Sequence, residues 1–188
     1  MTTLEQELIV EEKVLDKGFI RLIEFMGGDR GIVQAARVSY GQGLKGDEKD
    51  KKLVGYLIQH GHSSPLEHAV FKFHIKTPIF VMRQWIRHRM ASYNEWSLRY
   101  SETPDEFYVP ESFRKQDVKN KQGSLAANDI NQQDALAQYE KTIEQTFKTY
   151  KDLINAGVAR EMARMVLPTA LYTQFYWTVN ARSLMNFI

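Results

Sequence analysis

Arg87-His88-Arg89-Met90-Ala91-Ser92-Tyr93-Asn94-Glu95-Trp96-Ser97-Leu98-Arg99-Tyr100 is the segment around which the chain is organised. Three cationic or protonatable side chains come first, and hydrogen-bonding side chains alternate with aromatic ones after them. Guanidinium groups bind phosphate or carboxylate with paired hydrogen bonds, while carboxylate and hydroxyl groups orient a polar heterocycle. The segment therefore predicts a site for an anionic, planar ligand. Alternatively, Arg87, His88 and Arg89 could only complement the dipole at the C-terminal end of a helix, but that role explains one or two cations and not the residues that follow them.

Helical and strand-like patterns alternate irregularly on both sides of this segment. Upstream, we expect one strand over 14–26, interrupted at 16–18, and a second over 71–75. We also expect three helices: a short one capped by Asp29, one over 47–60, and one that is capped by Thr77, starts at Pro78 and extends to Ile86. Ile79, Met82 and Ile86 form the expected buried side of that last helix. Downstream, we expect a polar excursion over 103–133 with a short strand near 107–109, helices over 134–156 and 158–166, a strand over 171–178, and a final helix capped by Asn180.

This order of elements predicts an α+β fold. It lacks regular βαβ alternation and a glycine fingerprint after the first strand, both of which a doubly wound sheet requires. At 188 residues with 43% hydrophobic content, the chain can bury one sizeable core. We therefore expect a single domain over residues 1–188, with an antiparallel or mixed sheet flanked by long helices.

The segment from His60 to His68 predicts a second site of polar chemistry. Ser64 and Glu67 have the spacing of a capping box, and Pro65 occupies the first helical position that would follow. His62 would then stand just before a helix N-terminus. Backbone N–H groups there, with the Ser64 hydroxyl, could hold an anion.

Composition narrows the possible functions. The formal charge of +2 is too balanced for a dedicated nucleic-acid coat or a polybasic membrane binder. The absence of cysteine excludes disulfides, thiolate-bound zinc and a thiol nucleophile. No apolar run has membrane-spanning length, and the acidic N-terminus does not resemble a signal peptide, so we expect a cytoplasmic protein. Residues 1–12 are polar and are expected to pack weakly.

Two other functions are compatible with parts of the sequence. The pair His60 and His62 could chelate a metal, but no partner carboxylate has a familiar spacing, so no metal site is expected. The basic segment and its aromatic residues could bind single-stranded nucleic acid by stacking. The balanced charge and the apolar helix that leads into the segment argue against that interpretation.

The segment RHRMASYNEWSLRY resembles the signature of the flavin-dependent thymidylate synthases, RHRxxSxNExSxRY, and fills every fixed position of it. HGHSSPLEH at 60–68, TPIFVMRQWIRHR at 77–89 and the final VNARSLMNF resemble the same family in the same order. The resemblance extends from about Val14 onward. It is poor only over the polar region 114–133.

This resemblance implies a homotetramer of α+β subunits that binds FAD between subunits. Members use NADPH to reduce the flavin and transfer a methylene group from methylenetetrahydrofolate to dUMP, forming dTMP. The expected partners are therefore small-molecule substrates, with no nucleic acid and no membrane. Cysteine-dependent thymidylate synthases attack uracil with a thiol, which this chain lacks. Hydride delivery from a reduced flavin makes that nucleophile unnecessary.

The resemblance also assigns roles to individual residues. The residues similar to flavin contacts are Ser64, Arg87, His88, Arg89, Glu95, Asn180, Arg182 and Asn186. Those similar to the dUMP-binding set are Gln84, Trp85, Ile86, Arg87, Glu95, Trp96, Ser97, Leu98, Arg99 and Arg164. The residues expected to take part in catalysis are His62, Ser97 and Arg99, with His62 and Ser97 near the uracil and flavin edges. We expect Ser97 to act as a hydrogen-bonding group rather than as a nucleophile, because no adjacent base is evident.

The family's final helix continues past the position of Ile188 into a segment whose arginine contacts the uracil. That segment is absent from these 188 residues. Two interpretations follow from the resemblance: the sequence omits a tail, or the protein is a truncated relative that binds FAD and nucleotide without full catalysis.

Overall fold

A five-stranded antiparallel sheet forms the centre of the structure, a computed structural model that describes residues 10–188. The spatial order of its strands is β1 (Glu11–Val14), β2 (Gly18–Met26), β3 (Val70–Pro78), β7 (Tyr172–Asn180) and β4 (Ala91–Glu95). A small hairpin of β5 (Lys115–Gln116) and β6 (Ser124–Leu125) lies apart from this sheet. The predicted α+β class is confirmed. The sheet is antiparallel throughout, without the parallel pairs of a mixed sheet.

The helices are α1 (Gly28–Arg37), α2 (Asp47–Gln59), α3 (Ile79–Trp85), α4 (Gln132–Asn155), α5 (Arg160–Ala163) and α6 (Ala181–Met185). Turns of 3₁₀ helix cover Val38–Tyr40, Ser64–His68 and Arg164–Val166. No helix in residues 10–188 is long and apolar enough to cross a membrane. Of the polar residues 1–12, those before residue 10 lie outside the described part, while Glu11 and Glu12 belong to β1, pair with β2 and have exposed side chains.

Alternation along β3 and β7 places the apolar side chains on one face of the sheet. Ile75, Phe175, Trp177 and Val179 form a buried cluster there with Met82 of α3. Helices α1 and α2 bury a second cluster around Leu57 and Leu66, and α4 buries a third around Phe107, Ile143 and Leu171. The opposite face bears polar and aromatic side chains, such as Lys72, His74 and Tyr176, which stack or pair with one another.

Three predicted helix starts are wrong. Asp29 does not cap α1, whose N-cap is Gly27 with φ 85° and no side-chain hydrogen bond. A Cβ at Gly27 would lie 2.3 Å from the His68 carbonyl oxygen, so only glycine fits this contact. Thr77 is a buried residue of β3, because strand pairing with Thr173 takes precedence over capping, and Pro78 is the N-cap of α3. The third wrong start, at Ser64, is described with the site.

Other predicted elements are shifted or shortened. The helix predicted over 158–166 is split into α5 and the 3₁₀ turn Arg164–Val166. The strand near 107–109 is reduced to one bridge between Phe107 and Leu171. Ile86 lies beyond the end of α3 and is 44% exposed, so it does not belong to the buried side of the helix. The cap at Asn180 is confirmed, since its side chain accepts a hydrogen bond from the Ser183 N–H at 2.8 Å.

Asp16, in the turn between β1 and β2, ties this hairpin to distant parts of the chain. It accepts hydrogen bonds from the Tyr172 hydroxyl at 2.5 Å and from the Val109 N–H at 3.1 Å. Burial acts to raise the pKa of Asp16, but these hydrogen bonds outweigh it and the pKa lies below its usual value. Burial and the bond to Asp16 raise the pKa of Tyr172, so its hydroxyl remains a donor.

We expect this contact to make the fold sensitive to acid. Because the pKa of Asp16 is lower in the folded chain, its contribution to stability is present above about pH 4 and is lost as pH falls through the folded-state value. The melting temperature of the wild type should therefore fall more steeply than that of Asp16→Asn between about pH 5 and pH 3. Thermal unfolding of both proteins across this range measures the difference, and parallel curves would contradict the prediction.

Candidate active site

The signature segment passes from helix to strand, which fixes its cations at the edge of the sheet. After α3 ends at Trp85, the chain loops through His88 and enters β4, which pairs with β7. The Tyr93 hydroxyl donates to the His88 carbonyl oxygen at 2.7 Å and lies 3.2 Å from that of Trp85. Burial raises the pKa of Tyr93, so this donor persists at neutral pH. The loop is therefore anchored to the strand that follows it.

A cavity of about 420 Å³ lies where the end of β4 meets the chain on either side of the start of β7. The signature contributes Glu95, Trp96 and Leu98, and Arg164 comes from the 3₁₀ turn after α5. The remaining lining residues are Ile79, Glu161, Met165, Leu167, Leu171, Tyr172 and Thr173. The Arg164 guanidinium can bind the anionic group of a planar ligand, and the carboxylates of Glu95 and Glu161 can accept hydrogen bonds from its N–H or O–H groups, among apolar walls.

Three other arginines of the predicted site, Arg87, Arg89 and Arg99, are exposed. None of them forms an ion pair within residues 10–188. Arg99 lies 5.5 Å from the centre of the Tyr100 ring, which is itself 77% exposed. Their positive charge is therefore available to an anionic ligand rather than neutralised internally.

Part of the predicted flavin set gathers around α6. His88, Arg89 and Asn186 line a cavity of about 100 Å³ together with Ser183. Asn186 also lines a second cavity, of about 260 Å³, with Arg182 and Ser63. The two cavities therefore adjoin at Asn186. Asn180 supports this region indirectly, because its side chain caps α6.

The Ser64–Glu67 capping box is wrong. The 3₁₀ turn has Ser63 as its N-cap, without a side-chain hydrogen bond, although Pro65 lies in its first turn. The Glu67 carboxylate pairs instead with the Arg182 guanidinium at 2.5 Å. A tertiary ion pair has replaced the local cap, and it holds the turn against α6.

Other predicted residues do not line the cavity with Glu95. Gln84 and Ile86 are exposed, whereas the Trp85 indole packs against Phe175 and Trp177 in the core. Ser97 accepts a hydrogen bond from the Arg99 N–H at 3.3 Å. Within residues 10–188, no carboxylate or imidazole hydrogen-bonds to the Ser97 hydroxyl, as a serine nucleophile would require.

His62 is exposed and follows Gly61, whose φ of 69° ends α2. Its ring stacks on Tyr56 at a centroid distance of 6.0 Å, and Tyr56 also stacks on His60 at 4.0 Å. His60 Nδ1 lies 2.9 Å from the Tyr56 carbonyl oxygen. No hydrogen bond joins His62 to Ser97 in the described part of the chain, so their expected position near the uracil and flavin edges stays a prediction.

Sequence reasoning missed several residues of the larger cavity, notably Glu161, Tyr172 and Thr173. Thr173 left a signal, because it interrupts the otherwise apolar face formed by Leu171, Phe175 and Trp177. A buried hydroxyl on such a face requires a hydrogen-bond partner. Glu161 left no comparable signal. No group of three or more His, Asp or Glu side chains among residues 10–188 is placed to hold a metal ion.

Comparison with known proteins identifies the relatives of this chain. Residues 21–188 match the family model described as thymidylate synthase complementing protein. The flavin-dependent thymidylate synthase of Thermosipho africanus is 59% identical over 180 residues, which cover 95% of this chain and 79% of the relative. That of Thermus thermophilus is 55% identical over 175 residues, or 93% of this chain and 64% of the relative.

Solved structures show the same fold. The UMP/dUMP methylase PolB from Streptomyces cacaoi, bound with 5-Br UMP, superposes with a TM-score of 0.81 and 33% sequence identity. The match covers 94% of this chain and 77% of PolB. The same enzyme bound with 5-Br dUMP gives a TM-score of 0.82. The chain therefore belongs to the thymidylate synthase complementing protein family, the family of the flavin-dependent thymidylate synthases.

Proposed function

We propose that this protein converts dUMP to dTMP, with FAD as its cofactor, NADPH as reductant and methylenetetrahydrofolate as carbon donor. One observation carries the proposal: the fold brings Arg164 into one cavity with Glu95, Trp96 and Leu98 of the signature. A nucleotide needs a cation for its phosphate and hydrogen-bonding groups for its base and sugar. This cavity offers both, in a chain whose relatives carry the name of that activity.

Arg164 is the proposed phosphate-binding residue, and Glu95 accepts hydrogen bonds from the nucleotide. Gln84, Arg87, Ser97 and Arg99 complete the proposed nucleotide set, together with the chain around Trp85, Ile86, Trp96 and Leu98. The position of Ser97 beside Arg99 supports a hydrogen-bonding role for its hydroxyl. The chain contains no cysteine, so a thiol attack on uracil is excluded.

The residues around α6 fit FAD. A dinucleotide carries a pyrophosphate, and Arg87 and Arg89 present guanidinium groups without internal partners within residues 10–188. His88, Asn186 and Arg182 surround the adjoining cavities, where they can bind polar groups of the cofactor. Ser64 and Asn180 belong to the same proposed set. When bound, FAD supplies hydride transfer that no side chain of this protein can perform.

The exposure of so many of these residues supports a site shared between subunits. His62, Ser64, Arg87, Arg89 and Arg99 are all exposed in one chain. An enclosed active site keeps water away from the reacting groups, which strengthens electrostatic interactions inside it. In the proposed homotetramer, neighbouring subunits would close the site and bring His62 toward the nucleotide.

A visible absorption spectrum tests the proposal. The purified protein, incubated with FAD and washed, should show oxidised flavin bands that bleach with NADPH under anaerobic conditions. Adding dUMP and methylenetetrahydrofolate should then yield dTMP. We expect Arg89→Ala to retain less flavin than wild type, whereas Arg114→Ala, which removes an arginine from the remote β5–β6 region, should retain it fully. Absence of bound flavin or of dTMP would overturn the proposal.

A further inference from the structure

Thr173 of β7 is buried and makes a partly buried hydrogen bond to Glu95, the exposed carboxylate at the rim of the cavity. Thr173 is 5% exposed, and its Oγ1 donates to Glu95 Oε1 at 2.7 Å. In the β4–β7 ladder Glu95 stands opposite Phe175, so Thr173 is its diagonal neighbour, within reach of a long side chain. The contact therefore follows from the register of the sheet.

This hydrogen bond leaves one carboxylate oxygen for a ligand. Within residues 10–188 no cation pairs with Glu95, and the hydrogen bond recorded for its side chain is the one from Thr173. Oε1 is thus occupied, and Oε2 is available to accept from an N–H or O–H group of the nucleotide. A bond to an ionised acceptor is stronger than one between neutral groups, so it can fix the orientation of the carboxylate.

The backbone around Glu95 reinforces this orientation. Trp96 N–H donates to the Gln174 carbonyl oxygen at 2.9 Å, immediately after Glu95 ends β4. Thr173 is β-branched, which restricts its χ1 and so the direction of its hydroxyl. Both ends of the Thr173–Glu95 contact are therefore held by the β4–β7 pairing before any ligand arrives.

We infer that Thr173 is a positioning residue for nucleotide binding: it orients the Glu95 carboxylate so that Oε2 meets the nucleotide. The inference rests on the proposed function and adds a residue that does not itself bind the substrate through its hydroxyl. An apolar residue of the same shape would suit the buried face of β7 equally well. The hydroxyl is therefore present for Glu95 rather than for packing.

The test is Thr173→Val, which keeps the shape and removes the donor. The dissociation constant of dUMP, measured by titration calorimetry, should rise about tenfold, the effect of losing a hydrogen bond to a charged group. The KM for dUMP should rise in parallel while kcat stays within about threefold, as expected when ground-state and transition-state binding weaken together. Thr173→Ser should bind dUMP within about twofold to threefold of wild type, because it keeps the hydroxyl.

Two controls separate positioning from structure. Thr178→Val alters a threonine of the same strand on the opposite face, and should leave dUMP binding unchanged. In a Glu95→Ala background, which removes the acceptor, Thr173→Val should change binding by less than about twofold, because coupled residues are not additive. Equal binding by Thr173→Val and wild type, or full additivity with Glu95→Ala, would overturn the inference alone. Failure of the wild type to bind dUMP would overturn the proposed function and the inference with it.

Discussion

Arg164→Ala is expected to weaken dUMP binding by about 100-fold, the largest functional effect of any single substitution considered for the cavity. A guanidinium can bind phosphate through two charge-assisted hydrogen bonds, and the lower limit of their combined value, about 3 kcal/mol, corresponds to about 100-fold in the dissociation constant. Arg164 is the arginine that lines the cavity with Glu95. Titration calorimetry with dUMP measures the change, and 2′-deoxyuridine, which lacks only the phosphate, should bind wild type and variant alike.

The matched control for this prediction is Arg160→Ala. Arg160 begins α5 one turn before Arg164, is exposed, and does not line the cavity. Both variants remove one positive charge from the same part of the surface, so a general loss of electrostatic attraction would affect them equally. We expect Arg160→Ala to bind dUMP within about twofold of wild type. Equal weakening in the two variants would remove Arg164 from the proposed phosphate site.

Phe175→Ala is expected to produce the largest loss of stability. Phe175 lies on the inner strand β7, is 1% exposed, and packs edge-to-face on Trp85 at a centroid distance of 5.8 Å. Removing a buried phenyl ring costs about 3–5 kcal/mol, because the transfer free energy is lost and a cavity remains. For a chain of this size each kcal/mol lowers the melting temperature by roughly 2–4 °C. A fall of about 10 °C is therefore expected in thermal unfolding followed by circular dichroism.

Tyr176→Ala provides the control, since it removes the next ring along the same strand. Tyr176 lies on the opposite face of the sheet, is 41% exposed, and stacks on His74. Its loss should cost about 1 kcal/mol, the value of an aromatic pair, and lower the melting temperature by only a few degrees. If the two variants were equally stable, the assignment of the core to the face that carries Phe175 would be incorrect.

The strongly periodic elements of this fold were predictable from sequence. The helix predicted over 134–156 is α4, and the strand predicted over 171–178 is β7, each displaced by two residues or fewer. Strand β4 was missed, because its polar side chains, Ser92, Asn94 and Glu95, hide a period-two pattern carried only by Ala91 and Tyr93. In a short strand with many functional side chains, the choice of residues reflects the binding site as well as packing, so the alternation of apolar and polar residues is hard to recognise.

Predictions of helix caps show how tertiary contacts override local signals. Asn180 caps its helix as expected, because nothing else competes for its side chain. Ser64 and Glu67 have equally good local spacing, yet Glu67 pairs with Arg182, which lies far along the chain. Only the folded arrangement determines which of these partners a carboxylate takes.

The residues of the candidate site also fall into two groups: those predictable from the sequence and those that only the tertiary structure brings together. Glu95, Trp96 and Leu98 lie within four residues of one another in the sequence, so the motif alone placed them together, and resemblance added Arg164. Thr173 and Tyr172 enter the cavity only through the pairing of β7 with β4, which no local pattern specifies. Similarly, no hydrogen bond connects His62 and Ser97 in the described residues, and their proposed proximity rests on the resemblance alone.

The strand order has a consequence for synthesis of the protein on the ribosome. β7 is the last strand to be made, yet it lies between β3 and β4 and pairs with both. Until the chain has emerged to Asn180, β4 has no partner and one edge of β3 stays open to other nascent chains. Completion of the sheet must therefore wait until β7 has emerged, although β1, β2 and β3 can pair earlier, and pairing over such sequence distances is slow.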